Sequence, residues 1–211
     1  VGSDLESDGG AASEDIAEMA AANADNINIT LQTGGAAAWE NASISDGKTE
    51  RHIIKNGELQ NVENLGETQM TSPNTLTDFI KWSASNYPAD RYELVLWNHG
   101  GGTALGCGYD EMYPDDMLSL SQIGNALSDS GIKFDIVGFD ACLMGTIETA
   151  YMLEPYADYL VASDEYEPVT GWYYSEWLKN LSDNTSMSTV EIGKKIVEDY
   201  INGPDSSFFD S

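Results

Sequence analysis

Short, continuous apolar runs alternate along this chain with longer segments whose apolar residues recur every three or four positions. Two of the runs end on reactive side chains. Leu94-Val95-Leu96-Trp97 leads into Asn98-His99-Gly100-Gly101-Gly102, and Phe134-Asp135-Ile136-Val137-Gly138-Phe139 leads into Asp140-Ala141-Cys142. Runs this short and β-branched suit strands buried on both faces of a parallel sheet. Residues 28–33, closing on Gly34-Gly35, and residues 159–162 predict two more strands. Residues 51–54 and 58–62 flank Asn56-Gly57, the pattern of a hairpin with a two-residue turn.

The helical pattern fills the intervals. Residues 13–24 place Ile16, Met19 and Ala20 on one face, with Glu14, Asp15 and Glu18 early, where a helix favours anions. Ser72-Pro73 opens a helix carrying Leu76, Phe79, Ile80 and Trp82, stopped before Pro88. Ser119 with Gln122, and Ser188 with Glu191, read as capping boxes for helices ending near Ser130 and Gly203. Residues 144–153 and 172–181 complete the set, while residues 2–7 and 100–118 read as loops. Strand–helix alternation of this kind predicts a three-layer α/β/α sandwich with a mostly parallel sheet, in one domain spanning residues 1–211.

In such sheets the carboxyl ends of the strands line the edge where ligands bind. A histidine and a cysteine delivered there can form a thiol–imidazole dyad. A neighbouring imidazole and a helix amino end both favour the thiolate, and Cys142 is expected where strand gives way to helix. His99 would then protonate the leaving group. The N–H groups of Gly100 and Cys142 could stabilise an oxyanion. Taken singly, Cys142 reads as a small buried residue and His99 as a loop histidine with a satisfied hydrogen bond. Their joint placement at two strand ends points to nucleophilic catalysis.

Other chemistries fit less well. His99-Gly100-Gly101-Gly102 matches the HGGG oxyanion motif of esterases, but no G-x-S-x-G elbow occurs. His52, His99 and the two cysteines lack zinc-ligand spacing, so no metal site is expected. A Cys107–Cys142 disulfide would consume the thiol at the strand end. A non-catalytic α/β binding module remains the alternative from another class.

Composition narrows the partners. Nine basic against 36 acidic side chains give a net charge of −27. That argues against nucleic acid, which needs a basic surface. It permits long-range attraction of cationic peptides or divalent ions, or serves solubility alone. No apolar run is long enough to span a membrane, and no signal segment is present. Val1 and the closing Phe208-Phe209-Asp210-Ser211 both look like cut ends.

Tyr92-Glu93-Leu94-Val95-Leu96-Trp97-Asn98-His99-Gly100-Gly101-Gly102 and Phe139-Asp140-Ala141-Cys142-Leu143-Met144 resemble the His and Cys blocks of clostripain-like cysteine peptidases, of the caspase, gingipain and legumain group. Gly2-Ser3-Asp4-Leu5-Glu6-Ser7, Pro88-Ala89-Asp90-Arg91-Tyr92 and Ser163-Asp164-Glu165-Tyr166-Glu167-Pro168 with Gly171-Trp172 extend the resemblance over nearly the whole chain. It implies a caspase-like fold and cleavage of peptides or proteins after Arg or Lys by a bacterial enzyme, exported or at the cell surface. His99 and Cys142 fall on the family's dyad. Asp140 falls on the acidic position of the S1 pocket, with Asp164 and Glu165 as further S1 candidates; a carboxylate there would pair with a basic P1 side chain.

The resemblance further implies that the family's first, central strand, expected immediately before Gly2, is missing from this chain. No cofactor is required for the chemistry. Some relatives use Ca²⁺, and the acidic loop with Asp110, Glu111, Asp115 and Asp116 could offer oxygen ligands, but it lacks EF-hand spacing and so reads as a solvated loop first. Many relatives mature by self-cleavage after Lys or Arg beyond the His block, where residues 100–132 here contain neither.

Overall fold

Six strands form two three-stranded sheets in the computed structural model, which describes residues 1–114 and 116–203. The first sheet is antiparallel, in the order β1 (Ile29–Thr33), β2 (Thr49–Lys55), β3 (Glu58–Gly66). Asn56 and Gly57 both take positive φ (53° and 71°), as a two-residue turn matched to strand twist requires. The second sheet is parallel, with β5 (Phe134–Asp140) between β4 (Glu93–Trp97) and β6 (Ala157–Ala162).

Helices cover both faces of the parallel sheet. Leu94, Val137 and Phe139 pack into a core with α3 (Pro73–Asn86), α5 (Leu120–Ser130) and Leu153 of α6 (Ile147–Leu153). Trp97 and Ile136 pack on the other face with α2 (Ala11–Ala21), α7 (Tyr174–Asp183) and α8 (Thr189–Asn202). Alternation of side chains along the strands produces this division. Ile136, Val137 and Phe139 are each at most 1% exposed; burying a side chain of that size contributes about 1.5–3 kcal/mol. Both predicted capping boxes form, on Ser119–Gln122 and Ser188–Glu191.

Residues 2–7, expected as loop, contain a short helix instead. The helix α1 (Asp4–Gly9) starts with Ser3 Oγ accepting from Leu5 N–H and ends where Gly10 turns left-handed (φ 69°). A single turn and a half carries no apolar period, so only its caps could have announced it. The short α4 (Gly102–Leu105) likewise interrupts the expected loop after His99.

Among the described residues the two sheets do not join. Residues of β1 (Leu31, Gln32) and of β4 (Leu94, Leu96) border one groove of about 620 Å³, closed on its flanks by Ile80 of α3 and Trp177 of α7. Neither His99 nor Cys142 lines it. Among the described residues, no helix is long and apolar enough to cross a membrane.

Candidate active site

Parallel pairing of β4 with β5 sets Trp97 opposite Asp140. Asn98 N–H extends the ladder, donating to the Asp140 carbonyl at 3.2 Å. His99 and Cys142 therefore leave the sheet two residues past one common rung, on neighbouring strands. Gly100 completes the approach: a Cβ there would overlap the Cys142 carbonyl oxygen, so a side chain would wedge the strand ends apart. The bridge between Gly100 and Cys107 is carried by Gly108 N–H to His99 O and Gly101 N–H to Gly106 O. The Gly100 N–H stands outside that ladder.

Asn98 locks this corner. Its Oδ1 accepts from His99 N–H (2.7 Å) and Tyr109 N–H (2.8 Å), while its Nδ2 donates to Gly2 O and Tyr109 O, both at 3.0 Å. One side chain thus ties the His99 backbone to residue 109 and to the start of the chain. The His99 ring meets Tyr109 edge-on, with centroids 6.1 Å apart. Its Nε2 lies 2.8 Å from Asp4 Oδ1, and both side chains are about two-fifths exposed.

Cys142 sits in a turn, not at a helix amino end. The expected helix from residue 144 begins only at Ile147, capped by Thr146 Oγ1 on Thr149 N–H. Gly145 N–H is spent on Ser163 O (2.6 Å) and Leu143 takes a left-handed φ of 64°, so the backbone cannot wind into a helix at the thiol. The expected help from a helix dipole therefore does not reach Cys142, because that effect falls off within the first turn. A different donor serves the sulfur: Glu167 N–H points at Sγ from 3.3 Å. Cys142 is half-buried and Cys107 buried, and both are free thiols.

Behind the thiol lies a buried carboxylate cluster. Asp140 is 4% exposed; it accepts from Trp172 N–H (3.2 Å to each oxygen) and from the Tyr174 hydroxyl (2.7 Å). Those donors are neutral, so burial dominates and pushes its pKa up to about 7. Glu167 is pushed up to about 8 by burial and by the Asp140 charge. Asp15, whose Oδ2 accepts from the Trp97 indole, is pushed up to about 10, by burial first and Asp140 second. Gly171, at φ 58°, leaves room for Asp140: a Cβ there would come within 2.6 Å of its Oδ1.

Asp164 and Glu165 are exposed. Their loop is held by backbone, with Leu143 N–H donating to Glu165 O at 3.0 Å. Of that loop's acids, Glu167 is the one brought against both Cys142 and Asp140.

In the acidic loop after α4 the described carboxylates face different partners. Asp110 is buried and accepts from Met70 N–H (2.8 Å) and Met112 N–H (2.9 Å). Glu111 accepts from Ser7 Oγ and Ala37 N–H, and Asp116 from Gln69 Nε2. Asp115 lies outside the described residues. Among the described residues, no three His, Cys, Asp or Glu side chains converge as metal ligands. The described carboxylates of the loop thus each accept hydrogen bonds that hold it in place.

Three residues of the corner escape reading from sequence: Asp4, Asn98 and Glu167. Asn98 abuts His99 and Glu167 lies in a recognised block. Nothing in the order of residues, however, pairs Asp4 with a side chain 95 positions away.

Fold and site together define an α/β protein that presents a thiol and an imidazole on one edge of a parallel sheet. The chain belongs to the clostripain family, whose model matches residues 2–210. Clostripain of Hathewaya histolytica is 37% identical over 115 residues, covering 46% of this chain and 22% of clostripain. Two solved structures share the caspase-like fold. One is a secreted C11 cysteine protease from Bacteroides thetaiotaomicron in complex with an irreversible peptide inhibitor (22% identity, TM-score 0.74, covering 89% of this chain and 53% of that one). The other is an inactive zymogen C11 protease from Parabacteroides distasonis (24% identity, TM-score 0.69, covering 91% and 53%). The chain spans about half the length of these solved chains and a smaller part of clostripain.

Proposed function

We propose that this chain carries the catalytic centre of a cysteine endopeptidase that cleaves after Arg or Lys. The observation carrying the proposal is the common Trp97–Asp140 rung, from which His99 and Cys142 emerge on adjacent strands with Gly100 against Cys142. Membership of the clostripain family supports it, as does the peptide inhibitor bound to the Bacteroides relative.

In this reading His99 takes the Cys142 thiol proton as sulfur attacks the scissile carbonyl carbon. Gly100 and Cys142 N–H groups stabilise the oxyanion of the tetrahedral intermediate. The intermediate collapses: the C–N bond breaks, His99 hands its proton to the leaving amine, and a thioester remains. Water, deprotonated by His99, attacks that thioester, and the thiolate leaves and is reprotonated. No metal or cofactor enters any of these steps.

Asp140 supplies negative charge beneath the P1 side chain, with Glu167 as its partner, and the exposed Asp164 and Glu165 add charge at the rim. A guanidinium or ammonium arriving beside Asp140 and Glu167 shifts both toward their ionised forms, which neutral P1 residues cannot do. Relatives described as secreted support export of this protein too.

A cleavage profile on a peptide library tests the reading, run beside Cys142→Ala and His99→Ala. Hydrolysis confined to Arg or Lys at P1, and lost in both variants, is expected. Normal turnover by either variant overturns the dyad; cleavage of short acyl esters with no basic group would favour an esterase. Binding of basic peptides without cleavage would favour the non-catalytic module.

A further inference from the structure

We propose that Asp4 is the positioning residue of His99, the third member of the catalytic group; the proposal rests on the His99–Cys142 reading above. Asp4 Oδ1 lies 2.8 Å from His99 Nε2. A carboxylate can only accept, so the hydrogen of a neutral imidazole sits on Nε2 and Nδ1 is left bare. That nitrogen is the one free to take the Cys142 proton. Once the imidazolium forms, the adjacent carboxylate stabilises its charge, the role an orienting acid plays in hydrolytic triads.

Asp4 is held well enough for this. It is the first residue of α1, whose Ser3 cap fixes the start of the helix. Fully buried Glu6, two residues on, accepts from Ser13 N–H, Ser13 Oγ and Glu40 N–H, pinning α1 to α2 and to the loop after β1. Gly2 O is clamped by Asn98 Nδ2 at 3.0 Å. The segment bearing Asp4 and the strand bearing His99 are thus joined independently of the Asp4–His99 contact. Their separation is fixed by the scaffold rather than by a floppy surface pair, which would contribute little.

The test compares Asp4→Ala and Asp4→Asn with the unaltered chain. One measurement is kcat and KM on an Arg-containing peptide. The second is the rate at which iodoacetamide alkylates each cysteine at pH 7, read by mass spectrometry. Asp4→Ala is expected to lower kcat by about tenfold or more with KM unchanged, and to slow Cys142 alkylation at least about threefold. Asp4→Asn keeps an oxygen that can accept from Nε2 and is expected to recover part of both. Labelling of buried Cys107 reports unfolding, and it stays at the unaltered rate if Asp4 acts only through His99. Rates and kcat within twofold of the unaltered chain in Asp4→Ala overturn the proposal, as does a loss accompanied by faster Cys107 labelling. His99→Ala separates the two readings: if it fails to slow Cys142 alkylation, the dyad itself falls and Asp4 with it.

Discussion

Gly100 lies so close to the Cys142 carbonyl that no Cβ can stand between them. The bare glycine lets the histidine and cysteine strand ends approach, and Asn98 N–H on the Asp140 carbonyl holds them there. Gly100→Ala should therefore push the ends apart. We expect a loss of about 1–3 kcal/mol in stability, the usual cost of overpacking, and a fall of about 10²-fold in kcat/KM. Urea denaturation and steady-state kinetics check both. A variant that loses stability but retains full activity would show that the strand ends tolerate displacement.

The two thiols should differ sharply in reactivity. Cys107 is buried, and burial pushes its pKa up to about 12, leaving it protonated and shielded at neutral pH. Cys142 is half-buried. A peptidyl-Arg chloromethyl ketone should alkylate Cys142 about 10²-fold faster than Cys107. Comparable slow labelling of both would count against an activated nucleophile.

Buried acids give stability a definite pH dependence. Folded Asp140 and Glu167 hold their protons to about pH 7 and 8, whereas unfolded carboxyls lose theirs near pH 4. Their contribution is fully present below about pH 4 and is lost as pH rises through 7 and 8. His52 runs oppositely, since burial lowers its pKa; it costs stability only as pH falls below the ordinary histidine range. Between pH 6.5 and 8.5 the acids act against a silent His52. We expect the melting temperature to drop by about several degrees over that window, with a shallower slope in Asp140→Asn and Glu167→Gln. Circular dichroism melts at three pH values decide it; parallel slopes in all three proteins would contradict the assignment.

Inner and outer acids should be separable by salt. Asp140→Asn is expected to lower kcat/KM for Arg and Lys substrates by about 10²-fold at any ionic strength, because a buried partner is poorly screened. Neutralising exposed Asp164 and Glu165 together should cost only about two- to fivefold, and that cost should vanish near 0.5 M salt. Kinetics at two salt concentrations distinguish the cases. An unchanged P1 preference in Asp140→Asn would remove it from the pocket.

The strands and most helices were legible because each announces itself locally. Asn56-Gly57 dictates its turn, Ser119 and Ser188 dictate their caps, and the runs ending at Trp97 and Phe139 are too apolar to lie anywhere but inside. The helix beginning at Ile147 starts later than its apolar period predicts, because the delay depends on Gly145 donating to Ser163, a partner from another strand's end. The hydrophobic period cannot register a hydrogen bond of that range.

The sequence by itself determined which residues could do chemistry: it delivers His99 and Cys142 at the ends of buried strands, with Asp140 and Gly100 beside them. The tertiary structure decided what those residues touch. Parallel register put Trp97 opposite Asp140, burial raised the acids, and the capped turn at Ser3 carried Asp4 to within 2.8 Å of His99. Local propensity and pattern reach only a few residues along the chain, whereas strand register and helix packing join residues nearly a hundred positions apart.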